Sequence, residues 1–373
     1  MRNEHCRAPF AGVYSIRIGL LLAQLSEHSP RIAGLATAVP PYPLPQSEVV
    51  AHAAETFGSR FRDFERLRPV FESTGIAMRY SVRPFDWFHA RQDWRQRTEA
   101  YLEGATALFI EAAEKAIAAA GILPQDIDTV VTVSSTGIAT PSLEARAHGV
   151  LGFRPDIHRV PVFGLGCAGG VSGLSLGARL ARAEPGSKVL VVAVEICTLA
   201  FRSDELTKSN IVATALFGDG AAGVVLTCDK AAGPRIVATG EHLWPDTLDI
   251  MGWQVDPIGF GAIFSASIPD LVTEKMRPAV ENFLARHGEV IDDLDGFVFH
   301  PGGTKVVQAL ENSFDLPQGA LNIERETLRD FGNMSAPTAL FVLKRKLEVG
   351  LAGRHLVSAL GPGFTGSFAR LDA

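Results

Sequence analysis

Val162-Phe163-Gly164-Leu165-Gly166-Cys167-Ala168-Gly169-Gly170-Val171-Ser172-Gly173-Leu174-Ser175-Leu176 runs from an apolar strand end through glycines, past a single thiol and into a helix. The glycines ahead of Cys167 permit a sharp turn that a Cβ would resist. Beyond it, Val171, Leu174, Leu176, Ala178, Leu180 and Ala181 form the apolar run of a buried helix, which puts the thiol at a helix N-terminus. Unpaired N–H groups and the positive dipole end there favour a thiolate, the form that attacks a carbonyl carbon. Free cysteines are commonly inert core residues. Such a residue needs no glycines around it, whereas close approach by another molecule does.

Outward from this turn, short buried strands alternate with helices. Upstream, Ile32 to Val39 reads as a strand, Ser47 caps a helix through Phe57, Thr106 to Ala120 is a helix, Asp128 to Ser135 a strand and Ser142 to Leu151 a helix. Lys188 to Glu195 and Ala221 to Thr227 are strands downstream. The order then replays: helix Leu271 to His287, strand Asp295 to His300, helix Thr304 to Asn312, a turn at Phe331 to Ala336 opening a helix through Leu347, and strand His355 to Leu360. Asp126-Ile127-Asp128 recurs as Asp293-Leu294-Asp295, and Gly186-Ser187-Lys188 as Gly353-Arg354-His355. Cys167 and Asn333 fall at matching places, each predicted at a helix start after a glycine turn. The pattern predicts an α/β layered architecture of two duplicated halves, 31–229 with the thiol and 230–373, behind an N-terminal extension, 1–30.

The chain has 373 residues, 47% hydrophobic and 20% charged, enough for a large core. A net charge of −6 argues against nucleic acid as the main partner. Cys6, Cys167, Cys197 and Cys228 have no zinc- or thioredoxin-type spacing, which fits a reducing cytoplasm. The apolar run Gly12 to Leu25 is short and interrupted by Arg17, so neither a stable membrane insertion nor a secretory signal is expected.

Three residues beside glycines at corresponding strand ends carry the chemistry: Cys167, His300 before Pro301-Gly302-Gly303, and Asn333. A lone His is commonly structural and a lone Asn commonly a helix cap. Together they suit carbon–carbon bond formation on thioesters. The thiolate accepts an acyl group, while imidazole and amide donate hydrogen bonds to a carbonyl oxygen as negative charge builds on it. A carboxylate in place of Asn333 would repel the enolate left when malonyl loses carbon dioxide.

From Ile32 to Asp372 the chain resembles the type III polyketide synthases, the chalcone synthase-like branch of the thiolase superfamily. The motifs are Gly164 to Gly170, Leu216-Phe217-Gly218-Asp219-Gly220-Ala221, His300-Pro301-Gly302-Gly303, Gly332-Asn333-Met334-Ser335 and Gly361-Pro362-Gly363. The resemblance implies a five-layered αβαβα thiolase-like fold, a homodimer, coenzyme A thioester substrates with acyl carrier protein as another starter donor, and no metal or organic cofactor. By the same resemblance Cys167 is the acyl-carrying nucleophile, and His300 and Asn333 are the decarboxylation and oxyanion pair. Phe217 is a gatekeeper and Phe260 the second, with Phe264 the alternative. Ser135, Thr136, Cys197, Ala200 and Ser335 line the cavity with Gly302, Gly303, Gly361 and Gly363, and Thr140 reaches towards the partner's cavity. Lysines usual near Val70 to Thr74 are absent, leaving Arg66, Arg68 and Lys305 to meet coenzyme A phosphates. Thr136 to Pro141 and Met251-Gly252-Trp253 look most similar to bacterial alkylpyrone and alkylresorcinol synthases, which extend a fatty acyl starter with malonyl units. The alternatives are a ketoacyl synthase III-like condensing enzyme fed by acyl carrier protein, and a non-catalytic acyl-binding scaffold.

Overall fold

The computed structural model describes residues 29–229 and 231–373, so the expected extension lies, apart from Ser29 and Pro30, outside the described residues. In chain order the strands are β1 (Arg31–Ala38), β2 (Tyr42–Pro45), β3 (Met78–Ser81), β4 (Thr129–Val133), β5 (His158–Val162), β6 (Lys188–Ile196), β7 (Asp219–Thr227), β8 (Arg235–Leu243), β9 (Met251–Val255), β10 (Phe260–Phe264), β11 (Gly296–Phe299), β12 (Arg354–Gly361) and β13 (Thr365–Asp372). Nine of them form one mixed sheet in the order β11-β12-β13-β8-β1-β7-β6-β4-β5. Strands β1 and β8 meet at a single residue pair, Arg31 opposite Arg235, so the sheet is in effect two sub-sheets joined at one bridge. On one side β4 runs parallel to β6, and β6, β7 and β1 pair antiparallel. On the other side β11 runs parallel to β12, and β12, β13 and β8 pair antiparallel. The two halves thus repeat one topology.

Side-chain alternation stacks the layers. Val131, Val133, Val189 and Val191 face inward and pack with Val298, Val357 and Ala369 of the other half around two central helices, Gly169–Ala183 and Thr338–Glu348. The intervening Val130, Leu190, Val192 and Val194 face outward onto helices Trp94–Ala119 and Leu143–Leu151. Helices Ile268–Ala285 and Thr304–Ser313 cover the far face through Phe283, Leu284 and Leu310. The order is therefore αβαβα. With both faces of each strand covered, a strand reads as a continuous apolar run rather than an alternating one. Each large apolar side chain buried there, such as Phe109 or Phe283, contributes about 1.5–3 kcal/mol. Among the described residues no helix is long and apolar enough to cross a membrane.

Local expectations shift in three places. The helix expected from Thr106 starts at Trp94, because Asp93 and Gln96 form a capping box ahead of it. Ser47 lies inside its helix, Gln46–Phe57, rather than capping it. Asn333 is not at a helix start: the helix begins only at Thr338, and Asn333 is held by a bridge to Phe217.

Candidate active site

Cys167 sits in a 3-10 turn, Gly166–Ala168, leading directly into helix Gly169–Ala183. The hydroxyl oxygen of Ser135, just beyond the end of β4, accepts the backbone N–H groups of Gly164 (3.1 Å) and Gly166 (3.2 Å). Gly166 has φ +47°, and a Cβ there would stand 2.6 Å from Pro362, so the Gly361-Pro362-Gly363 loop closes directly on the nucleophile turn. A Cβ on Gly170 would meet the Ala336 carbonyl oxygen at 2.1 Å, which brings the segment after Asn333 against the base of the Cys167 helix.

From the other half, Asn333 reaches the same point. Its Oδ1 lies 3.9 Å from Cys167 Sγ and accepts the Ser335 N–H at 2.8 Å, which directs the amide nitrogen to the Gly302 carbonyl at 3.2 Å. Asn333 N–H donates to Leu216 O, and Gly218 N–H donates to Asn333 O, so its backbone is paired on both sides. Ser335 holds φ +59°, an uncommon conformation for a residue with a Cβ. His300 follows β11 directly, its N–H bonded to Ser358 O, and the Asn333 amide thus bonds to the loop that follows His300. The imidazole is buried, and among the described residues neither ring nitrogen has a hydrogen-bond partner.

Burial sets the charges here. It pushes His300 down to about 4, so the ring is neutral near pH 7 and offers one donor and one acceptor. It also pushes the Cys167 thiol up to about 11; hydrogen bonding with Ser335 and with Asn333, whose Oδ1 accepts from the thiol, offsets this and the Glu195 carboxylate adds to it. Burial of the thiol, 7% exposed, thus opposes the thiolate that the helix start favours.

The remaining expected residues divide. Cys197, Ala200 and Phe217 line one cavity with Phe85, Phe88 and Phe201. Gly302, Gly303 and Lys305 line a separate mouth with Lys208, Leu216 and Phe264. Phe217 meets Phe264 edge-on at 6.4 Å between ring centroids, where mouth and cavity adjoin. Phe260, the first choice as second gatekeeper, stacks on Trp253 at 5.9 Å in another pocket, and it is the alternative, Phe264, whose ring meets Phe217. Ser135 supports the nucleophile turn rather than lining the cavity, and Thr136 donates to Glu195 Oε2 at 2.7 Å. Thr140 is exposed. Arg66 and Arg68 are also exposed and outside the mouth, with Arg68 beside Glu65 at 3.7 Å.

Three residues escaped sequence reading. Glu195 is fully buried at the end of β6, where burial pushes it up to about 8, and only its position closing an apolar strand signalled it. Arg79 is buried and donates to the carbonyls of Thr214 (2.7 Å) and Phe217 (2.6 Å), a role that no motif signals. Lys208 stands at the mouth, at the start of the helix Lys208–Leu216 and outside every motif.

Two family profiles match the chain: the N-terminal domain of chalcone and stilbene synthases over residues 84–230 and their C-terminal domain over residues 235–365. A putative chalcone synthase from Bacillus subtilis is 35% identical over 350 residues, covering 90% of this chain and 96% of the relative. A 1,3,6,8-tetrahydroxynaphthalene synthase from Streptomyces peucetius is 38% identical over 350 residues, 91% and 92% of the two chains. The alpha-pyrone synthesis polyketide synthase-like Pks18 of Mycobacterium tuberculosis is 29% identical over 368 residues, 92% of each. The crystal structure of the tetrahydroxynaphthalene synthase of Streptomyces coelicolor superposes with a TM-score of 0.87 at 26% identity, covering 92% of this chain and 99% of that one.

Proposed function

Because this chain belongs to the chalcone and stilbene synthase family of type III polyketide synthases, we propose that it extends a fatty acyl starter with malonyl-CoA and cyclises the product to an alkylpyrone or alkylresorcinol. The observation that carries the starter is the cavity behind Phe217, whose walls Leu44, Val49, Phe85, Phe88, Phe201 and Ala200 offer an alkyl chain almost wholly apolar contact. Cys167 sulfur attacks the starter thioester, its proton passing to the neutral imidazole of His300, and coenzyme A leaves as the thiol. Malonyl-CoA then loses carbon dioxide, and His300 and Asn333 donate to the enolate oxygen. The enolate carbon attacks the Cys167 thioester, which frees the cysteine sulfur and lengthens the chain. Lys208 and Lys305 at the mouth meet coenzyme A phosphates, Phe217 and Phe264 gate the passage, and no step calls on a metal or organic cofactor. Exposed Ile138 and Phe163 near the edge strand β5 support a homodimer that brings Thr140 to its partner, working in the cytoplasm with coenzyme A or acyl carrier protein thioesters.

A second reading follows from the relative at 38% identity: a polyhydroxylated aromatic product without an alkyl chain, as that relative's name describes. The test is incubation of the pure protein with malonyl-CoA alone and with acyl-CoA starters from short to long, reading product masses. Long-alkyl pyrones or resorcinols support the first reading; an alkyl-free product from malonyl-CoA alone supports the second. Extension only from acyl carrier protein thioesters returns the ketoacyl synthase alternative, and no product with any thioester returns the scaffold.

A further inference from the structure

We propose that His52, Glu55 and His89 form a site for a divalent transition ion of the zinc type, outside the catalytic centre. His52 and Glu55 lie on the helix Gln46–Phe57, spaced to share one face, and His89 ends the helix Phe85–His89. One ligand atom from each lies within 4.8 Å of the others, and the two imidazole centroids are 4.5 Å apart. Ligand atoms around a tetrahedral zinc stand roughly 3.4 Å apart, so a side-chain rotation of about 1 Å closes the set.

A second observation points the same way. His52 is only 8% exposed, yet neither of its ring nitrogens has a hydrogen-bond partner among the described residues. Buried polar groups are nearly always satisfied, and an imidazole nitrogen left bare beside another imidazole and a carboxylate is what a metal ligand looks like without its ion. Phe85 and Phe201 pack on the His52 ring at 5.8 and 5.6 Å and dry the inner side. Glu55 and His89 are exposed, which leaves an entry path and an outer position for water. Two imidazoles and a carboxylate suit zinc. The expected absence of a metal came from the family resemblance and concerned the reaction, in which this site takes no part.

A bound ion would tie helix Gln46–Phe57 to the segment carrying Phe85 and Phe88, and so stiffen a wall of the apolar cavity, which His52 also lines. The assignment is structural and does not depend on the starter. To test it, the full-length protein is freed of metal with a chelator, dialysed, and titrated with zinc chloride by calorimetry and with cobalt chloride by visible absorption. The expected result is one ion per chain, cobalt d–d bands, and a rise in the thermal midpoint with zinc. H89A and E55Q, both at exposed positions and so expected to fold, should each weaken binding by about tenfold or more. Absence of binding by the wild-type protein overturns the proposal. So does binding that H89A leaves unchanged, since the ion would then sit elsewhere, for instance on a cysteine.

Discussion

Cys167 Sγ lies 3.9 Å from Asn333 Oδ1, a contact across 166 residues that joins one half of the duplicated chain to the other. The nucleophile and the amide belong to one site only because the central helices bring both half-sheets to a common point. Replacing the thiol should therefore disable loading without loosening the fold. Cys167→Ala should show no acyl adduct by intact-protein mass spectrometry after incubation with acyl-CoA, and product formation should fall by about a thousandfold or more at an unchanged thermal midpoint.

Asn333 and His300 act on the second substrate in the proposed cycle. Asn333→Asp keeps the size but puts a carboxylate where the enolate forms, and His300→Gln removes the imidazole. Each should lower malonyl-CoA decarboxylation by about 10²–10³-fold, the range for losing an oxyanion donor. Asn333→Asp should still take up an acyl group on Cys167. Normal decarboxylation in either variant would exclude that role.

The raised thiol makes a pH prediction. With Cys167 pushed up to about 11, alkylation by iodoacetamide should climb nearly tenfold per pH unit between about 7 and 10. Glu195 is pushed up to about 8, so above that pH its charge opposes the thiolate, and Glu195→Gln should alkylate faster there. The same carboxyl bears on stability. Its folded pKa lies above its unfolded value near 4.3, so its favourable contribution is complete below that pH and is lost as pH rises through about 8. Between those limits the thermal midpoint of Glu195→Gln should fall less with pH than that of the wild type, followed by calorimetry.

Ala200 is 5% exposed in the apolar cavity wall. Filling it with Ala200→Phe should reduce kcat/KM for long acyl-CoA starters by about tenfold or more while sparing short ones, because overpacking falls on the space an alkyl chain needs. Equal loss across the ladder would place the starter elsewhere.

At the mouth, Lys208→Ala and Lys305→Ala should each raise KM for malonyl-CoA by about fivefold to tenfold, as expected for a charge-assisted phosphate contact. Arg66→Ala and Arg68→Ala should leave it unchanged. The reverse pattern in steady-state kinetics would restore the arginines.

Local signals determined much of this protein. The glycine-flanked Cys167, the loop after His300 and the recurrent strand phrases each lie within a few residues, and backbone sterics together with a continuous apolar run make them readable one segment at a time. They sufficed for the α/β class and pointed to Cys167, His300 and Asn333 as candidates. Tertiary structure decided what depends on which side chains meet. Phe264 rather than Phe260 meets the Phe217 ring, while Phe260 stacks on Trp253 instead. Lys208 joins Lys305 at the mouth where Arg66 and Arg68 do not, and Arg79 is buried while those two arginines are exposed. The protonation of Cys167 belongs with these. A helix start favours a thiolate, but how much water the folded halves exclude from it, which works the other way, is a property of packing across the whole chain.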